Sequence, residues 1–154
     1  MINPWSPLID ISDRPPMSAP LARDVPPPDG LGVARSVWWT FAASEADALV
    51  IGEDPAVWRV LTAVWPTLQK PRFWCDSRRL RPSLSMYGEG TLILQNVDEL
   101  ETSDQQRVLE WCSGTEPRSR IIATASRQFV TLVANGRFSG PLYDRLKSAQ
   151  LLLM

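Results

Sequence analysis

From Val33 onward the chain alternates short, uninterrupted apolar runs with longer segments of helical period. The apolar runs lie in "DALVIGE", "PRFWCD", "TLILQN", "RIIATAS" and "AQLLLM", and each predicts a strand buried on both faces. The first is placed at Ala48–Ile51, followed by a glycine turn. Between the strands, "VARSVWWTFAASE" predicts an amphipathic helix ending before Asp47. "DPAVWRVLTAVW" predicts a second helix, with Asp54 as N-cap, Pro55 at the first position and Pro66 as the stop. "SRRLRPSLSMYGE" is a polar connection, and "SDQQRVLEWCSG" a helix with Ser103 as N-cap and Gly114 as C-cap. "RQFVTLVANG" predicts another helix and "GPLYDRL" a short helical piece. Strands alternating with helices in this way predict an α/β fold around a parallel sheet covered on both faces.

The first thirty residues break this pattern, holding eight of the fourteen prolines and culminating in "DVPPPDG". Such a stretch sustains neither helix nor ladder hydrogen bonds, so residues 1–32 are assigned to a Pro-rich extended arm and residues 33–154 to one α/β domain. Within the arm, "WSPLIDI" is apolar enough to dock on its own domain or on a neighbour. Trp38 and Trp39 diverge by about 100° on a helix, so one of them is expected to meet the arm, another subunit or solvent.

Composition narrows the chemistry. With 16 Lys and Arg against 17 Asp and Glu there is no global basic field for nucleic acid or anionic membrane. The chain has no histidine, hence neither the usual general base near neutral pH nor the commonest zinc ligand, and no metal site is expected. Cys75 and Cys112 are far apart and predict two reduced structural thiols. No segment reads as a signal peptide or a membrane span, so the protein is expected to be soluble and cytoplasmic.

Three stretches are candidates for chemistry. "LVIGEDPAVWRV" places a strand–glycine–helix turn where an α/β nucleotide binder carries its phosphate loop. It keeps Gly52 and Glu53, but Pro55 lacks an N–H, Val57 adds bulk, and Trp58 and Arg59 follow where Lys and its neighbour are expected. Arg59 has the reach for an anion without a nest of amides around it. "LILQN" ends its strand in Gln95 and Asn96, where carboxylates would hold Mg²⁺ and polarise water; amides do neither. Asp98 and Glu99 follow as acids facing solvent or a helix approach. "KPRFWCDSRRLR" groups five cations about Phe73 and Trp74, without the exposed aromatic alternation of a single-strand binder, and reads as a solvated loop or protein contact.

Taken together, these pieces resemble the ATPase core of sigma-54-dependent transcriptional activators, a branch of the AAA+ P-loop family. The resemblance runs from about Val33 to the C-terminus. "ADALVIGED" is similar to the family's first strand and loop start, which usually continues as GESGTGKE. "GTLILQNVDEL" matches GTLFLDEIGEL, keeping Gly90, Thr91, Leu92, Leu94, Glu99 and Leu100. "SRIIATAS" resembles the sensor strand RIIAATN, with Ser126 in place of the usual Asn. "LVANGRFSGPLYDRL" resembles LVAEGRFREDLYYRL and is the most specific match, keeping Gly136, Arg137, Phe138, Leu142, Tyr143, Arg145 and Leu146.

The resemblance implies a P-loop NTPase-like three-layer sandwich with a parallel five-stranded sheet and the lid domain absent. It makes Gly52, Glu53 and Arg59 the remnant of a nucleotide site, altered at Trp58, Gln95, Asn96 and Ser126. It also implies an inherited subunit interface at Phe138, Tyr143 and Arg145. Where the family has its loop Lys, its Asp–Glu pair and two Arg, this chain has Trp58, Gln95, Asn96, Ser139 and Arg145, so one Arg survives. The stretch between Gly52 and Gly90 is short and lacks the GAFTGA sequence by which the family contacts sigma-54. The expectation is therefore a domain without ATPase activity or bound cofactor that acts by protein–protein interaction in transcriptional regulation. Its expected partner is a sigma-54 activator or further copies of itself, with no direct DNA or membrane binding. The alternatives are an ATP- or ADP-binding module with little hydrolysis and a self-assembling structural protein.

Overall fold

The computed structural model describes residues 25–79, 88–114 and 118–153. Five strands form one fully parallel sheet: β1 (Ala48–Ile51), β2 (Arg72–Asp76), β3 (Thr91–Gln95), β4 (Arg120–Ala125) and β5 (Ala149–Leu152), in the spatial order β2-β3-β4-β1-β5. Parallel neighbours cannot be joined by hairpins, so the crossovers carry the helices onto both faces. The helices are α1 (Arg35–Ala43), α2 (Asp54–Val64), α3 (Thr102–Ser113), α4 (Phe129–Ala134) and α5 (Gly140–Leu146).

Alternation along each strand divides the core in two. Ala48 and Val50 of β1, Trp74 of β2, Ile93 of β3 and Ile122 of β4 point to one face, where Trp38 and Phe41 of α1 and Val57, Val60, Leu61 and Val64 of α2 cover them. Leu49, Ile51, Leu92, Leu94, Ile121 and Ala123 point to the other, beneath Val108 and Cys112 of α3, Phe129 of α4 and Leu142 and Leu146 of α5. The result is the expected α/β three-layer sandwich.

Helix starts differ from the sequence reading by a residue or two. Asp54 is the first helical residue rather than the cap, Glu53 holds the cap position without a side-chain bond, and Pro55 sits within the first turn. Likewise α3 begins at Thr102 after Glu101, so Ser103 lies inside the helix. In both cases one more residue joins the helix because its backbone reaches the preceding carbonyl, Val57 N–H to Glu53 and Gln105 N–H to Glu101. Ser139 caps α5 by accepting the Leu142 N–H at 3.2 Å.

The proline-rich segment contributes to the core from Val25 onward. Val25 and Leu31 are buried beside α1 and α2, and the Trp38 indole N–H donates to the Val25 carbonyl at 2.9 Å. Trp38 thus meets the arm, and Trp39 packs half-buried on the edge of the same cluster. The apolar stretch Trp5–Ile11 and the rest of the arm lie outside the described residues. No helix among the described residues is long and apolar enough to cross a membrane.

Both cysteines are buried. Burial, the largest effect, pushes the Cys112 thiol up to about 11. A raised pKa means the folded state holds its proton while the unfolded chain releases one, so stability is full below about pH 9 and declines as pH rises toward 11. Each pH unit of that window costs up to about 1.4 kcal/mol. Urea denaturation of the wild type between pH 8 and 11 should therefore show a steeper alkaline loss than Cys112→Ala. Parallel slopes in the two proteins would contradict the assignment.

Candidate functional site

The carboxyl ends of β1, β3 and β4 open into a cleft of about 780 Å³ lined by Gly52, Glu53, Asp54, Pro55, Arg78, Asn96, Asp98, Glu99, Ser126, Arg127 and Gln128. In open parallel sheets this edge is where ligands bind, beside the order reversal at which β1 sits between β4 and β5. Of the residues singled out from the sequence, Gly52, Glu53, Asn96 and Ser126 converge here, as does the acidic pair Asp98–Glu99.

Arg59 does not. It stands on the exposed side of α2, its guanidinium beside Gly30, in a separate groove with Pro26–Pro28 and Trp58. The reason is the length of the turn. Helix α2 starts at Asp54, two residues after Gly52, so Trp58 and Arg59 are already in its second turn and rotated away from the strand ends.

Trp58 and Gln95, at the altered positions of the resemblance, belong to one structural chain of contacts. Trp58 stacks on Trp74 of β2 with ring centroids 5.1 Å apart and planes 14° from parallel. The Trp74 indole N–H in turn donates to Gln95 Oε1 at 3.1 Å, two residues beyond its register partner Ile93 on β3. Neither side chain lines the cleft. An acid at position 95 would take its negative charge into this half-buried aromatic contact.

Asn96 has a backbone reason to be an amide. It is the only described non-glycine residue with positive φ (58°, ψ 55°), the left-handed region that Asn enters more readily than most side chains. Its N–H donates to Thr124 Oγ1 at 3.0 Å, which ties the end of β3 to β4. The 3-10 turn Val97–Glu99 then carries Asp98 back toward β4, where Ser126 donates to Asp98 Oδ2 at 2.6 Å. The other oxygen, Oδ1, is buried without a hydrogen-bond partner among the described residues.

The basic cluster read from "KPRFWCDSRRLR" is dispersed. Arg72 is buried, its Nε–H donating to the Leu68 carbonyl at 3.2 Å and its guanidinium lying over the Trp65 ring. Among the cluster's described residues only Arg78 lines the cleft, where it bridges Asp76 at 2.9 Å and Glu99 at 3.0 Å. Burial tends to raise the Asp76 carboxyl, but the Arg78 hydrogen bonds and charge outweigh it and hold the group below its ordinary value. Arg81 lies outside the described residues. The second cleft cation, Arg127, sits 3.8 Å from Glu53.

This donor set fits a polyphosphate poorly. Two guanidinium groups, each beside an acid of its own chain, face four carboxylates: Glu53, Asp54, Asp98 and Glu99. The glycine that would let phosphate approach the backbone is already covered, since a Cβ on Gly52 would lie 2.7 Å from Leu153 Cβ. Leu153, just beyond β5, donates its N–H to Ile51 and closes the strand end. Among the described residues no three Cys, Asp or Glu side chains converge to hold a metal.

The expected interface residues separate as well. Phe138 is buried against Phe129, centroids 4.6 Å apart and edge to face, so it is a core residue and unavailable to a partner. Apolar burial under α4 and α5 decides its place. Tyr143 is half-buried, stacked on Phe129 with Lys147 over its ring. Arg145 is exposed and reaches Ser113 at 3.4 Å. Sequence reasoning passed over Arg127, which neighbours the sensor-strand serine; only the folded turn brings it opposite Glu53.

No curated protein sequence matches the chain. Among solved structures, NtrX from Brucella abortus in complex with ADP superposes with a TM-score of 0.60 at 16% identity, over 71% of this chain and 32% of that one. The same protein in complex with ATP gives 0.60 at 17% identity, over 71% and 33%. The P-loop NTPase domain of a sigma-54 transport activator from E. coli gives 0.54 at 14% identity, over 72% and 84%. The chain thus spans about a third of NtrX, and these likenesses establish the fold. The sequence of residues 66–153 matches the sigma-54 interaction domain, more than half of the chain. With its β2-β3-β4-β1-β5 sheet and the strand-end cleft in place, the chain belongs to the sigma-54 interaction domain family.

Proposed function

We propose that this chain is a catalytically inactive sigma-54 activator-like domain that works by protein–protein contact in transcriptional regulation. The observation that carries this reading is the strand–helix turn at Gly52–Asp54. It leaves no loop of amides for phosphates, and Leu153 packs on the glycine that such a loop would need. Phosphoryl transfer depends on positioning and charge neutralisation together. Here Trp58 and Gln95 serve an aromatic contact, and the cleft carries more acid than base. The partner is a sigma-54 activator or another copy of the chain, engaged through exposed residues near Arg145 rather than through Phe138.

The rival reading, a nucleotide-binding module, has one observation in its favour: a cleft of about 780 Å³ at the strand ends, with Arg78 and Arg127 in its lining. A thermal-shift titration separates the two. A ligand at 100 times its dissociation constant stabilises by about 2.7 kcal/mol. We expect Mg-ATP and Mg-ADP at millimolar concentration to leave the melting temperature unchanged, with no phosphate released. We also expect addition of the protein to a sigma-54 activator to change that activator's ATPase rate. Saturable stabilisation by nucleotide would favour the module instead.

A further inference from the structure

We infer that the face formed by α1 and α2 is a binding site for proline-rich segments in polyproline II conformation, occupied here in cis by Val25–Pro28. The segment's shape is fixed by covalent geometry. Three successive rings hold φ near about −65°, and each residue that precedes a proline is confined to the extended region. Val25, Pro26, Pro27 and Pro28 therefore form a preorganised ligand that loses little entropy when it docks.

The receptor side has the matching chemistry. A buried indole N–H, that of Trp38, donates to the Val25 carbonyl at 2.9 Å, and the Val25 side chain is buried among apolar residues of the same face. This pairs an aromatic donor with a backbone acceptor that a polyproline helix cannot satisfy internally. The site is also larger than its occupant. Between the prolines and α2 remains a groove of about 560 Å³ lined by Pro26–Pro28, Asp29, Trp58, Arg59, Thr62 and Ala63. Trp58 and Ala63 give it an apolar floor, and Arg59 stands at its side. The occupant that fits is a partner protein's segment of the form apolar–Pro–Pro–Pro followed by a bulky apolar residue and an acid, the bulk filling the groove and the acid meeting Arg59. Such a segment displaces the chain's own, so the cis contact sets the threshold for recruitment.

The test uses the full chain labelled with ¹⁵N, observing the Trp38 indole resonance assigned by comparison with Trp38→Phe. The probe is the synthetic peptide VPPPLE, and the control is the same peptide with alanine in place of each proline. A tethered ligand competes at effective millimolar concentration, so the wild type should bind VPPPLE weakly, and Pro26→Ala/Pro27→Ala about tenfold more tightly. A shift of the Trp38 resonance by VPPPLE and not by the alanine peptide supports the site. An unmoved resonance in the wild type at ten millimolar peptide overturns it, whether or not the double variant folds. Equal shifts by both peptides also overturn it. Concentration-dependent dimerisation of the wild type without peptide, with the same resonance shifted, overturns it in favour of a second copy as the occupant.

Discussion

Gly90→Ala is expected to destabilise the fold by about 3–5 kcal/mol, a large part of the stability of a typical domain. Gly90 has φ +131°, a region that side-chain-bearing residues rarely enter. A Cβ there would lie 2.2 Å from the Pro71 carbonyl oxygen and 3.0 Å from its ring. Neither neighbour is free to move away. Pro71 O accepts the Thr91 N–H at 2.9 Å, which starts the β2–β3 pairing, and Gly90 O accepts the Arg120 N–H at 3.0 Å on the β4 side. The glycine is pinned between two strands by its own backbone bonds. Gly88, two residues earlier, has open space where its Cβ would go, so Gly88→Ala should stay within about 0.5 kcal/mol. Guanidinium denaturation of the two variants decides the matter; equal losses would show that strand entry is not the constraint. The glycine shared with GTLFLDEIGEL is thus retained here for sheet geometry.

The same stretch shows why some features were legible and others were not. Strand β1 falls on Ala48–Ile51 as expected, because four apolar residues between Asp47 and Gly52 leave no other burial pattern. The parallel five-stranded sheet followed from the motif resemblance, whereas the spatial order of its strands came only with the structure, because apolar runs alone do not fix which strands are neighbours. The aromatic link from Trp58 through Trp74 to Gln95 was hidden, since it depends on the β2–β3 register across a connection of fourteen residues, 77–90. Reading position by position along GESGTGKE placed Trp58 at the phosphates. In the fold the loop is shorter, and the helix starts before that alignment has reached its Lys. Val25 and Leu31 were assigned to an arm because proline and glycine mark breaks in regular structure, yet such residues do not prevent their apolar neighbours from being buried. Resemblance alone makes Phe138 an interface residue, while its burial goes with the T-shaped pairing with Phe129.

Several polar groups of the cleft are engaged within the chain. Asn96 takes the left-handed turn, Asp98 reaches across to Ser126, and Arg78 and Arg127 lie beside Glu99 and Glu53. Of the buried side-chain oxygens and nitrogens lining the cleft, Asp98 Oδ1 has no hydrogen-bond partner among the described residues. An unpaired buried oxygen costs about 1–3 kcal/mol, and Asp98 carries it while its other oxygen accepts from Ser126.

At the opposite end of the sheet lies the ion pair whose loss should be felt most. Asp47 is buried and meets Arg118 in two parallel bonds, 3.1 and 2.7 Å, while its Oδ1 also accepts the Ile121 N–H at 2.9 Å. Arg118 is further held by the Ser119 carbonyl at 2.9 Å and lies over the Trp111 ring. The hydrogen bonds that Arg118 donates to Asp47 are the first reason that its pKa is raised. The pair joins the start of β1 to the start of β4, 71 residues apart in sequence. Asp47→Ala removes the counter-ion of a partly buried guanidinium, which keeps only the Ser119 carbonyl and the Trp111 ring, and strips the Ile121 N–H of its acceptor, a loss of about 3–5 kcal/mol. Arg118→Met should cost less, since Asp47 keeps the Ile121 N–H and the methionine can still pack on Trp111. Combining the two removes the stranded charge, so Asp47→Ala/Arg118→Met should be more stable than the sum of the single losses predicts, by about 1–3 kcal/mol. Urea unfolding of the three variants measures that coupling. Strict additivity would mean that the bidentate pair contributes nothing of its own, and that the Ile121 bond alone holds Asp47 in place.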